Sequence, residues 1–213
     1  MTEQDAKDWL QTQFSVSRET WGRLEAYVAI LLEEMEQQNL IAESTRPHIW
    51  ARHIVDSAQL IPLASTAEDG LWIDLGSGAG LPGIVVAILT DRPVQMVESR
   101  RKRIDFLNRL VTELGLDRAT VSGGRVETVP TTQAAVISAR AYAPLSRLFE
   151  SALHLSSKKT TWVLPKGRNA QNELEEATRT WQGVFHVERS VTDADSAIIV
   201  AHAVKSDRRK AQG

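Results

Sequence analysis

Ile73-Asp74-Leu75-Gly76-Ser77-Gly78-Ala79-Gly80-Leu81-Pro82-Gly83 is the stretch that decides how this chain folds. The run from Leu71 to Leu75 is short and apolar and ends in glycine, and Pro82 then opens the helical stretch PGIVVAILT. Strand, tight glycine turn and helix in succession announce a parallel α/β unit. Glycine allows the sharp turn and lets a ligand come close to the backbone.

Two ligand readings fit the same letters, beside a purely structural glycine turn. Gly78-x-Gly80-x-x-Gly83 is formally a dinucleotide fingerprint. Asp74-x-Gly76-x-Gly78-x-Gly80 is the glycine loop of S-adenosylmethionine (SAM) enzymes. Electrostatics favours SAM. A carboxylate two residues before the first glycine repels a pyrophosphate, whereas SAM carries a sulfonium, an ammonium and no phosphate. Register agrees, because the strand ends directly at Gly76. Glu98 closes the next strand, where doubly wound folds place an acid that accepts ribose hydroxyls. The competing reading of Glu98 is a solvated acid paired with Arg101 or Lys102.

Outward from this loop the alternation continues. Strands are predicted over 93–98, 119–122, 134–138 and 160–165, with helices over 100–114, 144–156 and 169–181. GVFHVERSV and SAIIVAHAV follow with only a short turn between them, which reads as an antiparallel hairpin. The predicted fold is α/β and Rossmann-like, with about seven mostly parallel strands over residues 66–213. Residues 1–65 read as a helical extension. Ser17 caps a helix whose stripe is Leu24, Tyr27, Val28, Leu31 and Met35, and a second helix runs from Thr45–Pro47 to Leu60, before Pro62.

The chain has 213 residues, 42% hydrophobic and 24% charged, with no cysteine. Disulfides, thiolate metal sites and cysteine nucleophiles are therefore excluded. No apolar run exceeds seven residues, and Ile84–Leu89 has six, too short to span a bilayer. The acidic N-terminus lacks the features of a secretory signal. A cytoplasmic monomer without metal or membrane attachment is expected. The net charge of −2 conceals an asymmetry, with −7 over residues 1–70 and +5 over the remainder. A polyanion would meet the second part.

Arg100, Arg101, Lys102 and Arg103 open a helix against its macrodipole, which suits contact with a polyanion or, more simply, a solvated face. Lys158, Lys159, Arg168, Lys205, Arg208, Arg209 and Lys210 add scattered positive charge. Arg140 and Lys166 each follow a predicted parallel strand, at the edge where open sheets hold ligands. Tyr142 and Pro144 offer either a platform for a planar base or ordinary packing. Arg52/Asp56 and His53/Ser57 are spaced four apart on one helix. No glycine elbow surrounds Ser57, so a local hydrogen-bonded network is expected in place of a hydrolase triad. His48 and His53 lack the companions of a metal site.

Taken together, these motifs resemble the bacterial ribosomal RNA small-subunit methyltransferase G family, also called glucose-inhibited division protein B. The matching pieces run in family order: Asn39-Leu40, Arg52-His53-Ile54-Val55-Asp56-Ser57, Ile73 to Gly83, Glu98-Ser99 with Lys102-Arg103 and Phe106-Leu107, Arg125-Val126-Glu127, Ile137 to Ala141, and Lys166-Gly167. The closing hairpin is less alike: Asp193-Ala194-Asp195-Ser196 stands where the family often has an arginine. The resemblance implies SAM-dependent methylation of guanine N7 in a single-stranded loop of 16S ribosomal RNA, giving 7-methylguanosine. It implies cofactor contacts from Asp74, Gly76, Ser77, Gly78, Gly80 and Leu81, from Glu98 to the ribose, from Arg125, Val126 and Glu127 near the adenine, and from Arg140. Arg140 and Lys166 would position the substrate. Guanine N7 has an in-plane lone pair and no proton, so alignment and not a general base would carry the reaction. In A-form RNA that edge lies in a deep, narrow groove, so the target must be unpaired. An NAD-dependent oxidoreductase and a non-catalytic SAM-fold ribosome-assembly factor are the rival readings.

Overall fold

The computed structural model describes residues 1–207; Arg208, Arg209 and Lys210 of the basic half lie outside them. One seven-stranded sheet has the order β3-β2-β1-β4-β5-β7-β6. Its strands are β1 (Trp72–Leu75), β2 (Val94–Glu98), β3 (Ala119–Gly123), β4 (Val136–Ala139), β5 (Thr161–Lys166), β6 (Trp181–Arg189) and β7 (Ala197–Ser206). β1 to β5 are parallel, and β7 and β6 close the sheet antiparallel. This is the architecture that the sequence alternation predicts.

Strand order places the site. From β1 the chain winds outward through β2 and β3, then returns to add β4 on β1's other side. That reversal opens the crevice where doubly wound sheets bind ligands. Leu75 pairs with Val97 on one side and with Ala139 on the other. Gly76, Glu98 and Arg140 consequently leave the sheet side by side. Lys166 pairs with Ala197, so the β6–β7 turn comes back to the same edge.

Both faces of the sheet are buried, and alternate strand residues serve two hydrophobic clusters. Trp72, Val94, Met96 and Val136 point to one cluster, and Ile73, Leu75, Val97 and Ile137 to the other. The first cluster is covered by α1 (Glu3–Phe14), α2 (Arg18–Glu34), α5 (Gly83–Leu89) and α6 (Arg101–Glu113). The second is covered by α7 (Leu145–Ala152) and α8 (Ala170–Ala177). The N-terminal segment is thus one layer of the same folded body. Leu24, Tyr27 and Leu31 of the predicted stripe share a core with Ile84 and Val85 of α5.

Two local features differ from expectation. α1, capped by Thr2, is an additional helix before the one that Ser17 caps. The second predicted helix is irregular: a 3-10 turn over Glu43–His48, a π-turn over Trp50–Val55, then α3 (Asp56–Ala58) and α4 (Leu60–Leu63). Pro62 sits inside α4 and does not end it, because the first turn has no intrahelical use for the missing N–H. Glu3 of α1 reaches the π-turn and accepts the amides of Trp50 and Ala51, both at 3.0 Å.

Candidate active site

The glycine loop is tied down by its own backbone. The amides of Gly76 and Ser77 both donate to the Val97 carbonyl, and those of Gly80 and Leu81 to the Ser77 carbonyl. The Gly78 amide donates to Glu98 Oε2 at 3.0 Å. Gly76 has φ +68°, and a Cβ there would lie 2.7 Å from the Tyr142 ring. Close contact with Tyr142 and a left-handed backbone both require glycine at this turn.

Asp74 lies behind the loop, completely buried. Its Oδ2 accepts the Gly83 amide at 3.1 Å, and its Oδ1 accepts the Ser138 hydroxyl at 2.9 Å. Burial pushes its pKa up to about 6, opposed by hydrogen bonds from Ser77, Ser138 and Gly83 and by the Arg140 charge. The carboxylate therefore reaches no ligand directly. It occupies the start of α5, the point a dinucleotide pyrophosphate needs. With five loop amides also paired inside the protein, the Gly78–Gly83 fingerprint offers a diphosphate no cradle. Ser77 is turned inward as well, donating from Oγ to the Asp74 carbonyl at 3.0 Å.

Glu98 is 5% exposed at the end of β2. Its Oε1 accepts the amides of Ser99 and Arg100, at 2.8 and 2.9 Å. One lone pair of Oε2 is left for a ligand hydroxyl, where the sequence suggests a grip on two. The competing reading, a solvated acid paired with Arg101 or Lys102, does not hold among the described residues. Arg101 binds Asp105, and it is Arg103 that approaches Glu98, at 3.9 Å. Arg100, Arg101 and Lys102 are exposed. Arg125, Val126 and Glu127 stand at the neighbouring strand end, where the Gly124 amide donates to the Glu98 carbonyl; Val126 is buried and the other two are exposed.

Two cavities open at this edge. One, about 390 Å³, lies against Gly76, Ser77, Gly78 and Leu81 and is walled by Leu40, Thr45, His53 and Arg103. The other, about 440 Å³, is lined by Arg52, Asp56, Tyr142, Pro144, Lys166 and Asp193. Arg140 and Ala141 belong to both. Ala141 has φ +50°, a left-handed conformation costing an alanine about 1 kcal/mol, and it turns the chain so that Tyr142 packs on Gly76.

Arg140 is held from several sides. Nη2 donates to the Arg52 carbonyl at 3.2 Å and faces His53 Nδ1 at 2.9 Å, while Nε lies 3.5 Å from Asp56 Oδ2. Nη1 is buried with no hydrogen-bond partner among the described residues. Lys166 is more constrained, donating to the Ala143 carbonyl at 3.0 Å and to Glu173 Oε2 at 2.8 Å. Only one of its three N–H groups remains.

The RHxxDS segment does form a network, mostly with distant elements. Arg52 pairs with Asp193 of the β6–β7 turn at 2.7 Å, not with Asp56 four residues on. Asp56 accepts from Gln59 and Thr192. Ser57 donates to the His53 carbonyl and not to the ring. Tyr27, from α2, donates to the Ala79 carbonyl of the glycine loop at 3.0 Å. Such partners, up to 141 residues apart, carry no local spacing signal.

The buried carboxylate behind the glycine loop and the loop amides paired inside the protein suit a cofactor without phosphates, and the sheet order is that of the Rossmann-like SAM methyltransferases. A mutant of MtNAS in complex with S-adenosylmethionine superposes with TM-score 0.61 at 13% identity, covering 95% of this chain and 84% of that one. The glycopeptide N-methyltransferase MtfA complexed with sinefungin gives TM-score 0.58 at 9% identity, covering 70% and 93%. These likenesses set the fold; the class, SAM-dependent methyltransferase with SAM as cofactor, follows from the family matches. The family model of rRNA small subunit methyltransferase G (GidB) matches residues 21–198. Ribosomal RNA small subunit methyltransferase G of Sphingopyxis alaskensis is 54% identical over 198 residues, 93% of this chain and 85% of that protein. Its counterpart from Rhizorhabdus wittichii is 53% identical over 207 residues, 96% and 94%. The chain belongs to the rRNA small subunit methyltransferase G family.

Proposed function

We propose that this protein methylates N7 of a guanine in a single-stranded loop of 16S ribosomal RNA, in the cytoplasm, using SAM. The observation that carries this reading is Arg140, the charged residue that lines both the glycine-loop cavity and the Lys166 cavity. Bound SAM supplies an electrophilic methyl group. The chain's own work is to seat the two partners in adjacent cavities and orient the base.

A donor at this wall suits guanine O6. Arginine commonly reads guanine through O6 and N7 together, but that grip would occupy the lone pair that must react. Arg140 already commits Nη2 to His53 and the Arg52 carbonyl, so it has no open two-nitrogen fork to close on O6 and N7 together. Lys166, with one free N–H, supports the backbone or the base from the far side of the cavity.

No available base stands between the cavities among the described residues. Burial, with the charges of Arg140 and Arg52, pushes the His53 pKa down to about 3, and its Nδ1 faces Arg140. Asp56 is engaged by Gln59, Thr192 and Arg140. Guanine N7 has no proton to lose, so a site without a base is consistent with this target and unsuited to alcohols or amides needing deprotonation. The test is transfer of labelled methyl from SAM to small-subunit particles and 16S RNA from cells lacking this gene, followed by nucleoside mapping. The expected product is 7-methylguanosine at one loop position. Methylation at another atom, or none, overturns the proposal.

A further inference from the structure

His53 is 4% exposed on the π-turn, a distortion often found at functional sites. Both ring nitrogens are engaged. Nδ1 faces Arg140 Nη2 at 2.9 Å, and Nε2 faces Thr45 Oγ1 at 2.7 Å. A guanidinium only donates, so Nδ1 is the unprotonated nitrogen and Nε2–H donates to Thr45. Thr45 Oγ1 in turn donates to the Ala42 carbonyl at 2.7 Å. This relay joins Arg140 to the Leu40–Ala42 segment, which walls the glycine-loop cavity.

The consequence is orientational. A planar guanidinium fixed at Nη2 by His53 and the Arg52 carbonyl, and at Nε by Asp56, has its third nitrogen fixed as well. That third nitrogen, Nη1, is the buried donor without a partner. Arg140 lines both cavities, so fixing its guanidinium fixes the wall that they share.

We propose that His53 is a positioning residue for methyl transfer: as a hydrogen-bond acceptor from the N-terminal layer, it holds the Arg140 guanidinium in the wall shared by the two cavities. The proposal rests on reading Arg140 as the donor on the substrate side. It gives the N-terminal helices a part in the chemistry beyond covering the sheet.

His53→Asn and His53→Gln separate this role from simple packing. Asparagine presents an acceptor near the Nδ1 position and keeps Arg140 in place. Glutamine reaches the Nε2 position and Thr45 but leaves Arg140 without its acceptor. His53→Gln is expected to lose about 10- to 100-fold in kcat for RNA methylation, the scale of one charge-assisted hydrogen bond. Its SAM Kd and RNA KM should stay within about threefold, and His53→Asn should retain most of the rate. Equal rates in the two variants, whether both intact or both lost, overturn the proposal. Arg140→Ala runs beside them. If it retains full activity, the reading of Arg140 itself fails; if it loses activity while His53→Gln does not, only the role of His53 fails. Nitrogen-15 NMR of the wild-type imidazole is independent of variant folding. An unprotonated Nδ1 whose shift moves in Arg140→Lys supports the relay, and a protonated Nδ1 contradicts it.

Discussion

Asp74 Oδ2 accepts the Gly83 amide at 3.1 Å, so the protein's own carboxylate stands where α5 would otherwise receive a diphosphate. The preference for a cationic cofactor is in this way built into the backbone of the loop. The carboxylate acts from behind the cavity wall, with no contact across it.

Cofactor selectivity follows. Calorimetry should show binding of SAM and none of NAD. Glu98→Ala should weaken SAM by about 10- to 100-fold, the loss expected when a charged acceptor of a ligand hydroxyl is removed. An unchanged Kd would remove Glu98 from the site.

Asp74 also ties stability to pH. Its pKa rises from the ordinary 3.8 to about 6 on folding, so the folded chain holds this proton more tightly than the unfolded one. The resulting stabilisation is complete below pH 3.8 and is lost as pH rises through about 6. Asp74→Asn cannot titrate. The stability difference between wild type and this variant should therefore shift against the wild type by about 2 kcal/mol between about pH 4 and pH 7.5, read from urea unfolding. A difference independent of pH would contradict the buried, raised carboxyl.

The contact between Gly76 and Tyr142 makes the turn intolerant of side chains. Gly76→Ala meets both a left-handed φ and the Tyr142 ring, and should cost about 2 kcal/mol or more and abolish SAM binding. Adding Tyr142→Ala removes the clash but leaves the strained φ. The double variant should thus recover part of the stability in a thermal melt, and simple additivity would show that the ring is not the obstacle.

The pair of Arg52 and Asp193 sits partly exposed at the rim of the Lys166 cavity. Such pairs contribute about 0–1 kcal/mol, little enough for an RNA phosphate to displace the carboxylate. Asp193→Asn should therefore tighten binding of a 16S fragment a few-fold at low salt. Arg52→Ala should weaken it and reduce the salt slope by about 0.7, the value of one single-strand phosphate contact. Anisotropy titrations across salt measure both, and unchanged slopes in both variants would place the RNA elsewhere.

The centre of the sheet was legible in the sequence because β1, β2, β4 and β5 are short, largely apolar runs ended or followed by a glycine or a charged residue. Asp74, Glu98, Arg140 and Lys166 could be singled out for the same reason, since each lies at a strand end. α1 was not, because its buried stripe is only Ala6 and Leu10 among polar neighbours. The π-turn keeps helical periodicity in the letters, and widening of a turn leaves no compositional mark. Partners drawn together by topology, such as His53 with Arg140 and Arg52 with Asp193, were also beyond reach, because helical spacing points only to neighbours on the same helix.

In the proposed reaction, alignment alone, with no proton removed, carries the transfer. Single-turnover methylation at saturating SAM and RNA between about pH 7 and pH 9 tests it most directly. The rate constant should change by less than about threefold over that range; a tenfold rise per pH unit would reveal a general base and contradict transfer by alignment.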